Sequence, residues 1–227
     1  LKKTGLITYS ALTNPTPSIC QQSENLWANA NLRRKVIWAP HHTIFENSYH
    51  TNHSTFLRYH KFFLIAAKQY SKQLFIIFKP HPNLKHELTK IWSEEKIIKY
   101  YEDWQNLPNG GLNEGSYIPL FLGSDCLIHD SVSFMAEYLL TQKPLAYLKK
   151  SEIGQKKFLN SFGKKCLQFH KVVSDENEIL DFMLKPMNLV LDKEASRFVN
   201  DLTANKSIVE KTIIEDLFKN LGRNDRS

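Results

Sequence analysis

Two stretches of this 227-residue chain end an apolar run in side chains that can handle phosphate. In the first, Phe75-Ile76-Ile77-Phe78 runs into Lys79-Pro80-His81-Pro82. In the second, Cys126-Leu127-Ile128-His129 runs into Asp130-Ser131-Val132-Ser133, and a helical pattern follows at once. A strand that turns into a helix N-terminus presents unpaired N–H groups and partial positive charge, a setting suited to phosphate. Lys79 adds a cation, and the His81 imidazole can donate to a phosphate oxygen or assist a leaving group. Pro80 and Pro82 keep the residues before them, Lys79 and His81, out of helical geometry. Phosphate chemistry at two strand ends points to a transferase that uses a nucleotide donor.

A third loop, Pro40-His41-His42-Thr43, follows the apolar run Val36-Ile37-Trp38-Ala39. Adjacent residues of an extended chain point to opposite sides, so His41 and His42 are expected to make a poor metal site. The histidines between His41 and His60 fit neither the His-Glu-x-x-His motif nor a zinc finger, and no metal site is expected. His50, His53, His60, His86 and His170 read as surface residues. Glu137, four residues after Ser133 and so on its helical face, is placed to accept bonds from ribose hydroxyls. Simpler roles compete at each position: Asp130 or Ser131 as a helix cap, Glu137 as a surface carboxylate, His81 as a structural imidazole.

These residues need strands that end together. Apolar runs predict strands at 36–39, 74–78, 126–129 and 145–148, and a weak one at 167–173. Helical spacing predicts helices at 56–70, 84–92, 94–104, 117–122, 132–141, 153–161, 193–202 and 207–221, with another after the Ser174-Asp175 cap. Leu107-Pro108-Asn109-Gly110-Gly111 reads as a break. The alternation implies an α/β, doubly wound parallel sheet with C-terminal helices, whose ligand sits outside the carboxyl ends of the strands. Residues 1–34 are expected to be an N-terminal arm, or the remnant of a preceding domain in a longer protein, and 35–227 the donor-binding domain.

Composition sets the partners. Hydrophobic residues at 42% and charged residues at 23% describe a globular chain, and no run of about 18 apolar residues is present to span a membrane. A net charge of +7 favours anions such as nucleotides, with an anionic membrane surface as a further candidate. No RNA-binding aromatic signature or helix-turn-helix pattern occurs, so nucleic acid is not an expected partner. Cys20, Cys126 and Cys166 are odd in number and scattered, which suggests reduced thiols and a cytoplasmic place, peripheral on the inner face of the plasma membrane.

Together these motifs resemble the carboxyl-terminal domain of the CDP-glycerol glycerophosphotransferase family, the teichoic-acid polymerases and primases of GT-B fold. Ala39-Pro40-His41 is similar to the family's Ala-Pro-Thr loop, and Lys79-Pro80-His81-Pro82 to its basic-x-His-Pro segment. Asp130-Ser131-Val132-Ser133 resembles its Asp-Tyr-Ser-Ser helix start, and Ser124-Asp125-Cys126-Leu127-Ile128 its Ser-Asp-x-Leu-Ile lead-in. The likeness covers about residues 36–144. It implies a Rossmann-like half of a GT-B fold that binds a CDP-glycerol-like donor for a surface polymer such as capsule or teichoic acid, with a polymer or lipid-linked acceptor. Lys79 and His81 would serve catalysis, and Asp130, Ser131, Ser133, Glu137, His41, His42 and Thr43 would bind the nucleotide. It also implies a catalytic base on the amino-terminal domain. No tightly bound cofactor is expected, and a divalent cation is left open. Val132 stands where the family has its first serine, and Thr43 where it has an arginine, so another CDP-alcohol or a nucleotide sugar is an alternative donor. A nucleotide-sugar glycosyltransferase and a non-catalytic nucleotide-binding module remain as alternatives.

Overall fold

A computed structural model describes residues 7–45, 54–150, 159–185 and 193–203. Apolar runs become β1 (Arg34–Ala39), β2 (Leu74–Phe78), β4 (Cys126–His129) and β5 (Leu145–Leu148), joined by the short β3 (Gly110–Leu112) and β6 (Lys171–Val173). Every pairing is parallel, in the order β3-β2-β1-β4-β5-β6. That order reverses direction between β1 and β4, the place where doubly wound sheets open a ligand crevice.

Both faces of the sheet are covered, which is why its strands read as unbroken apolar runs. Before β1 come α1 (Ile7–Thr13) and α2 (Pro17–Trp27); between β1 and β4 come α3 (Phe56–Gln69), α4 (Leu84–Leu88), α5 (Glu94–Gln105) and α6 (Tyr117–Gly123). After β4 come α7 (Phe134–Glu137), α8 (Ser161–Leu167), α9 (Glu176–Leu184) and α10 (Lys193–Thr203). Val36 and Trp38 point into the layer of α3, α4, α5 and α9, whereas Ile37 and Ala39 point into the layer of the other helices. The Trp38 ring stacks on Phe63 at 4.3 Å and Phe78 at 4.9 Å, centring the first layer. Among the described residues no helix is long and apolar enough to cross a membrane.

Several expectations are corrected. Within the stretch expected as an arm or remnant, the described residues include a packed helix: Thr16 caps α2, Pro17 opens it, and Trp27 is buried with its Nε1–H on the Leu120 carbonyl at 3.2 Å. The expected break at 107–111 contains β3. There a Cβ on Gly110 would lie 2.4 Å from the Ile76 carbonyl oxygen, so a residue that resembles turn punctuation is what the strand needs. The helix expected at 132–141 splits into α7 and a 3₁₀ turn, Tyr138–Thr141, that ends at left-handed Gln142. The helix expected at 84–92 stops at Leu88, and the first part of the weak strand at 167–173 gives way to α8 and the turn after it. The helix at 207–221 and most of that at 153–161 lie outside the described residues.

Helix α6 crosses α2 so closely that a Cβ on Gly123 would meet Trp27 at 2.2 Å and Ser23 Oγ at 2.6 Å. Gly123→Ala is therefore expected to cost about 1–3 kcal/mol in urea unfolding, as overpacked core sites do. Gly111→Ala, whose Cβ meets nothing within 4 Å, should cost much less. Equal costs would mean that α2 does not pack on the sheet.

Candidate functional site

The carboxyl edge is organised by Asp130, which is fully buried. One carboxylate oxygen accepts the His41 N–H, and the other accepts the Thr55 N–H at 2.6 Å and the Thr55 hydroxyl at 2.8 Å. Burial raises its pKa to about 6 against the lowering pull of those bonds. Asp130 therefore caps no helix, and its oxygens are taken up by His41 and Thr55. It ties the end of β4 to the segments that carry His41 and Thr55.

The loop after β1 bends instead of extending, with the Ile44 N–H on the His42 carbonyl at 2.7 Å. The bend overturns the expectation that His41 and His42 diverge, for their rings lie 4.3 Å apart. His81 joins them from the end of β2, 4.0 Å from His42 and 5.0 Å from His41 between ring centroids. One ring nitrogen from each of the three lies within 4.8 Å of the others, so the geometric ground for excluding a metal fails. Thr43 is turned to His41, with its Oγ1 2.9 Å from His41 Nδ1.

His81 is held through its N–H on the Pro40 carbonyl at 3.2 Å. Its Nδ1 accepts the Asn83 N–H at 3.1 Å, and since a backbone N–H can only donate, the ring proton sits on Nε2. Burial, then His42 and Lys79, lower its pKa to about 4. At neutral pH His81 is an uncharged N–H donor. Lys79 is buried, which lowers its pKa against the raising influence of Glu114.

At the end of β4, His129 Nδ1–H donates to the Ser131 carbonyl at 2.9 Å and holds the turn from beneath. The hydroxyls of buried Ser131 and exposed Ser133 are 3.0 Å apart, and Ser133 makes no side-chain cap to α7. A four-residue α7 offers little macrodipole, so the turn offers hydroxyls more than helix charge. Glu137 is half-buried and accepts the Tyr117 hydroxyl at 3.1 Å; burial raises its pKa.

The structure thus brings His41, His42, Lys79 and His81 to one edge, with Ser131 and Ser133 on the adjoining strand's turn. Four contributors escaped the sequence reading: Thr55, Asn83, Tyr117 and His129. Thr55 precedes a helix and looks like a cap, yet its hydroxyl serves Asp130. His60 and His170 are not surface residues either. His60 is half-buried beside Phe56 and Trp92, and His170 is buried with Nδ1–H on the Cys166 carbonyl at 2.8 Å. His86 is exposed, and His50 and His53 lie outside the described residues.

A protein-family profile described as CDP-glycerol:poly(glycerophosphate) glycerophosphotransferase matches residues 27–188, well over half of the chain. The chain belongs to this glycerophosphotransferase family. A search of curated proteins finds no match. Among solved structures, the wall teichoic acid polymerase TagF matches with a TM-score of 0.57 at 16% identity, over 100% of this chain and 53% of that one. A form of TagF soaked with CDPG matches at 0.59 and 15%, over 98% and 53%. The UDP-GlcNAc 2-epimerase of Neisseria meningitidis bound to UDP-GlcNAc matches at 0.51 and 16%, over 92% and 51%. The chain therefore spans about half the length of these structures and shares the Rossmann-like α/β fold of GT-B enzymes.

Acid should loosen this edge. His81 and His170 titrate near 4 and His129 well below the ordinary imidazole value of 6.5, all chiefly through burial. Each binds its proton more readily when unfolded, so each contributes stability present above pH 6.5 that is lost as pH falls toward 4. Asp130 and Glu137, both raised by burial, act oppositely, with Asp130 adding stability as pH falls through about 6. The thermal midpoint should fall between pH 6.5 and 4, and His170→Asn should make that fall smaller. An unchanged fall in His170→Asn would place the acid sensitivity elsewhere.

Proposed function

We propose that this domain binds the pyrophosphate of a CDP-glycerol-like donor and promotes transfer of its glycerol phosphate to a growing bacterial surface polymer such as teichoic acid or capsule. The observation that carries the reading is convergence. The loop after β1, the end of β2 and the turn after β4 meet at the carboxyl edge, where the strand order reverses. Family membership supports the donor class.

In this reading Ser133 and the backbone of its turn hold the phosphates, Ser131 positions Ser133, and Glu137 with Tyr117 meets the ribose. An acceptor hydroxyl attacks the phosphorus that bears glycerol. The bond from that phosphorus to the bridging oxygen breaks, and CMP leaves with the electron pair. The acceptor's proton passes to a base on another domain. CMP departs as an anion, so it needs charge stabilisation more than a proton, which suits a neutral His81 Nε2–H and the Lys79 ammonium. The fold of a UDP-GlcNAc-bound epimerase favours a second reading, a nucleotide-sugar donor in the same crevice.

Thermal shift with CDP-glycerol, CDP-ribitol, UDP-sugars and CMP separates the two readings. A ligand at a hundred times its dissociation constant stabilises by about 2.7 kcal/mol. CDP-glycerol and CMP should raise the midpoint, and Ser133→Ala should remove the shift without lowering the unliganded midpoint. A response to UDP-sugars alone would select the sugar donor.

His81 generates a kinetic prediction. In an enzyme that contains both domains, His81→Ala should lower kcat about a hundredfold or more with a modest change in donor affinity. His81→Gln, which keeps a neutral N–H donor, should recover part of that loss, and the kcat profile between pH 5 and 8 should show no ionisation that His81→Gln removes. A wild-type rate in His81→Ala would assign this imidazole to structure.

A further inference from the structure

We propose that His41, His42 and His81 form a binding site for one divalent transition-metal ion of the zinc class. The inference does not rest on the nucleotide reading, because the ion is measured with no nucleotide present; only coordination through His81 Nε2 would remove the donor that reading uses.

The ligand atoms of the three imidazoles already lie within 4.8 Å of one another, on side chains that are half-buried and open to solvent. Zinc–nitrogen bonds of about 2.0–2.1 Å in a tetrahedron place neighbouring nitrogens about 3.4 Å apart. Side-chain rotation therefore has to close the widest pair by at most about 1.4 Å. The backbone beneath is fixed: His41 N–H is bound to buried Asp130, and His81 N–H to the Pro40 carbonyl. His41 Nδ1 accepts the Thr43 N–H at 3.4 Å, so coordination through Nε2 turns the ring to its other tautomer, with Nδ1–H then donated to Thr43 Oγ1, which lies at 2.9 Å. Three imidazoles select zinc, cobalt, nickel or copper over magnesium and calcium, which prefer oxygen, and they leave a fourth position for water or a phosphate oxygen.

Two further features oppose the ion. His81 Nδ1 accepts the Asn83 N–H, so coordination by either ring nitrogen displaces or replaces that bond, a cost of about tenfold in affinity. The Lys79 ammonium is close enough to His81 to repel a dication. Against that repulsion stand the Asp130 carboxylate behind His41 and the Glu87 carboxylate, which interacts with His42. A tenfold loss is small beside the gain from three converging nitrogen ligands, and the ion is expected to win.

The test uses the chain without a histidine tag, stripped with EDTA and titrated with zinc by calorimetry. One zinc per chain is expected, with no response to magnesium. His41→Ala and His42→Ala should each weaken zinc binding by more than about a hundredfold, beyond what loss of an outer-shell partner causes. His86→Ala, on an exposed residue of α4, should leave binding unchanged. Circular dichroism of each metal-free variant checks that it folds, and Asn replaces Ala at any position where it does not. Cobalt(II) added to the wild type should give the visible ligand-field bands of a four-coordinate site. Absence of saturable zinc binding, absence of those bands, or zinc binding that survives in both His41 and His42 variants would overturn the proposal.

Discussion

A buried carboxylate must find donors or lose its charge, and Asp130 finds them on segments far away in sequence. The His41 N–H, the Thr55 N–H and the Thr55 hydroxyl would each be a buried, unpaired donor without it, at about 1–3 kcal/mol apiece. The attachment therefore fixes where the chain leaves β1 and where it re-enters the fold at α3. The position of the His41-His42 bend against His81 follows from it, and so does the approach of the β1 loop to the Ser131 turn. Asp130, itself expected at the phosphates, also holds the other candidate ligands in place.

The proposed chemistry on that frame pairs a neutral donor with a buried cation. His81 is locked in one tautomer by Asn83 and kept neutral by burial, and Lys79 is drawn down into the edge of the sheet. Preorganised dipoles of this kind need no reorganisation as charge develops on a departing phosphate. A second buried imidazole pair, His129 and His170, lies under the same edge with ring centroids 5.3 Å apart. Each donates Nδ1–H to a backbone carbonyl, which leaves Nε2 as a buried acceptor with no hydrogen-bond partner among the described residues. Protonation of either ring would place a charge beneath the turn that carries Ser131 and Ser133.

Strands covered on both faces were the most legible part of the sequence. Residues 74–78, 126–129 and 145–148 are uninterrupted apolar runs, and their bounds match β2, β4 and β5. Periodicity also placed α3, α5 and α6 within a residue or so. What escaped was set by tertiary contact. β3 hides behind Gly110, chosen for the closeness of the Ile76 carbonyl and not for a turn. The long helix after Ser133 was drawn from spacing that cannot tell an α-turn from a 3₁₀ turn. An extended loop would keep the His41 and His42 rings apart, whereas the bend brings them together and beside His81. The motif residues were in view, but the direction in which Asp130 points was not, since no local pattern encodes a bond across 89 residues.

That separation governs how the protein is made. At a synthesis rate of about 5–20 residues per second, the ribosome needs about 4–18 s after His41 emerges to deliver Asp130. During that interval β1 can pair with β2 on one side only, and the edge that will receive β4 stays open along Val36-Ile37-Trp38-Ala39. Such an edge is a template for strand addition by another chain. The centre of the sheet, where the strand order reverses, is therefore the part of a nascent chain most exposed to mispairing, and folding helpers or nearby helices have the most to protect there.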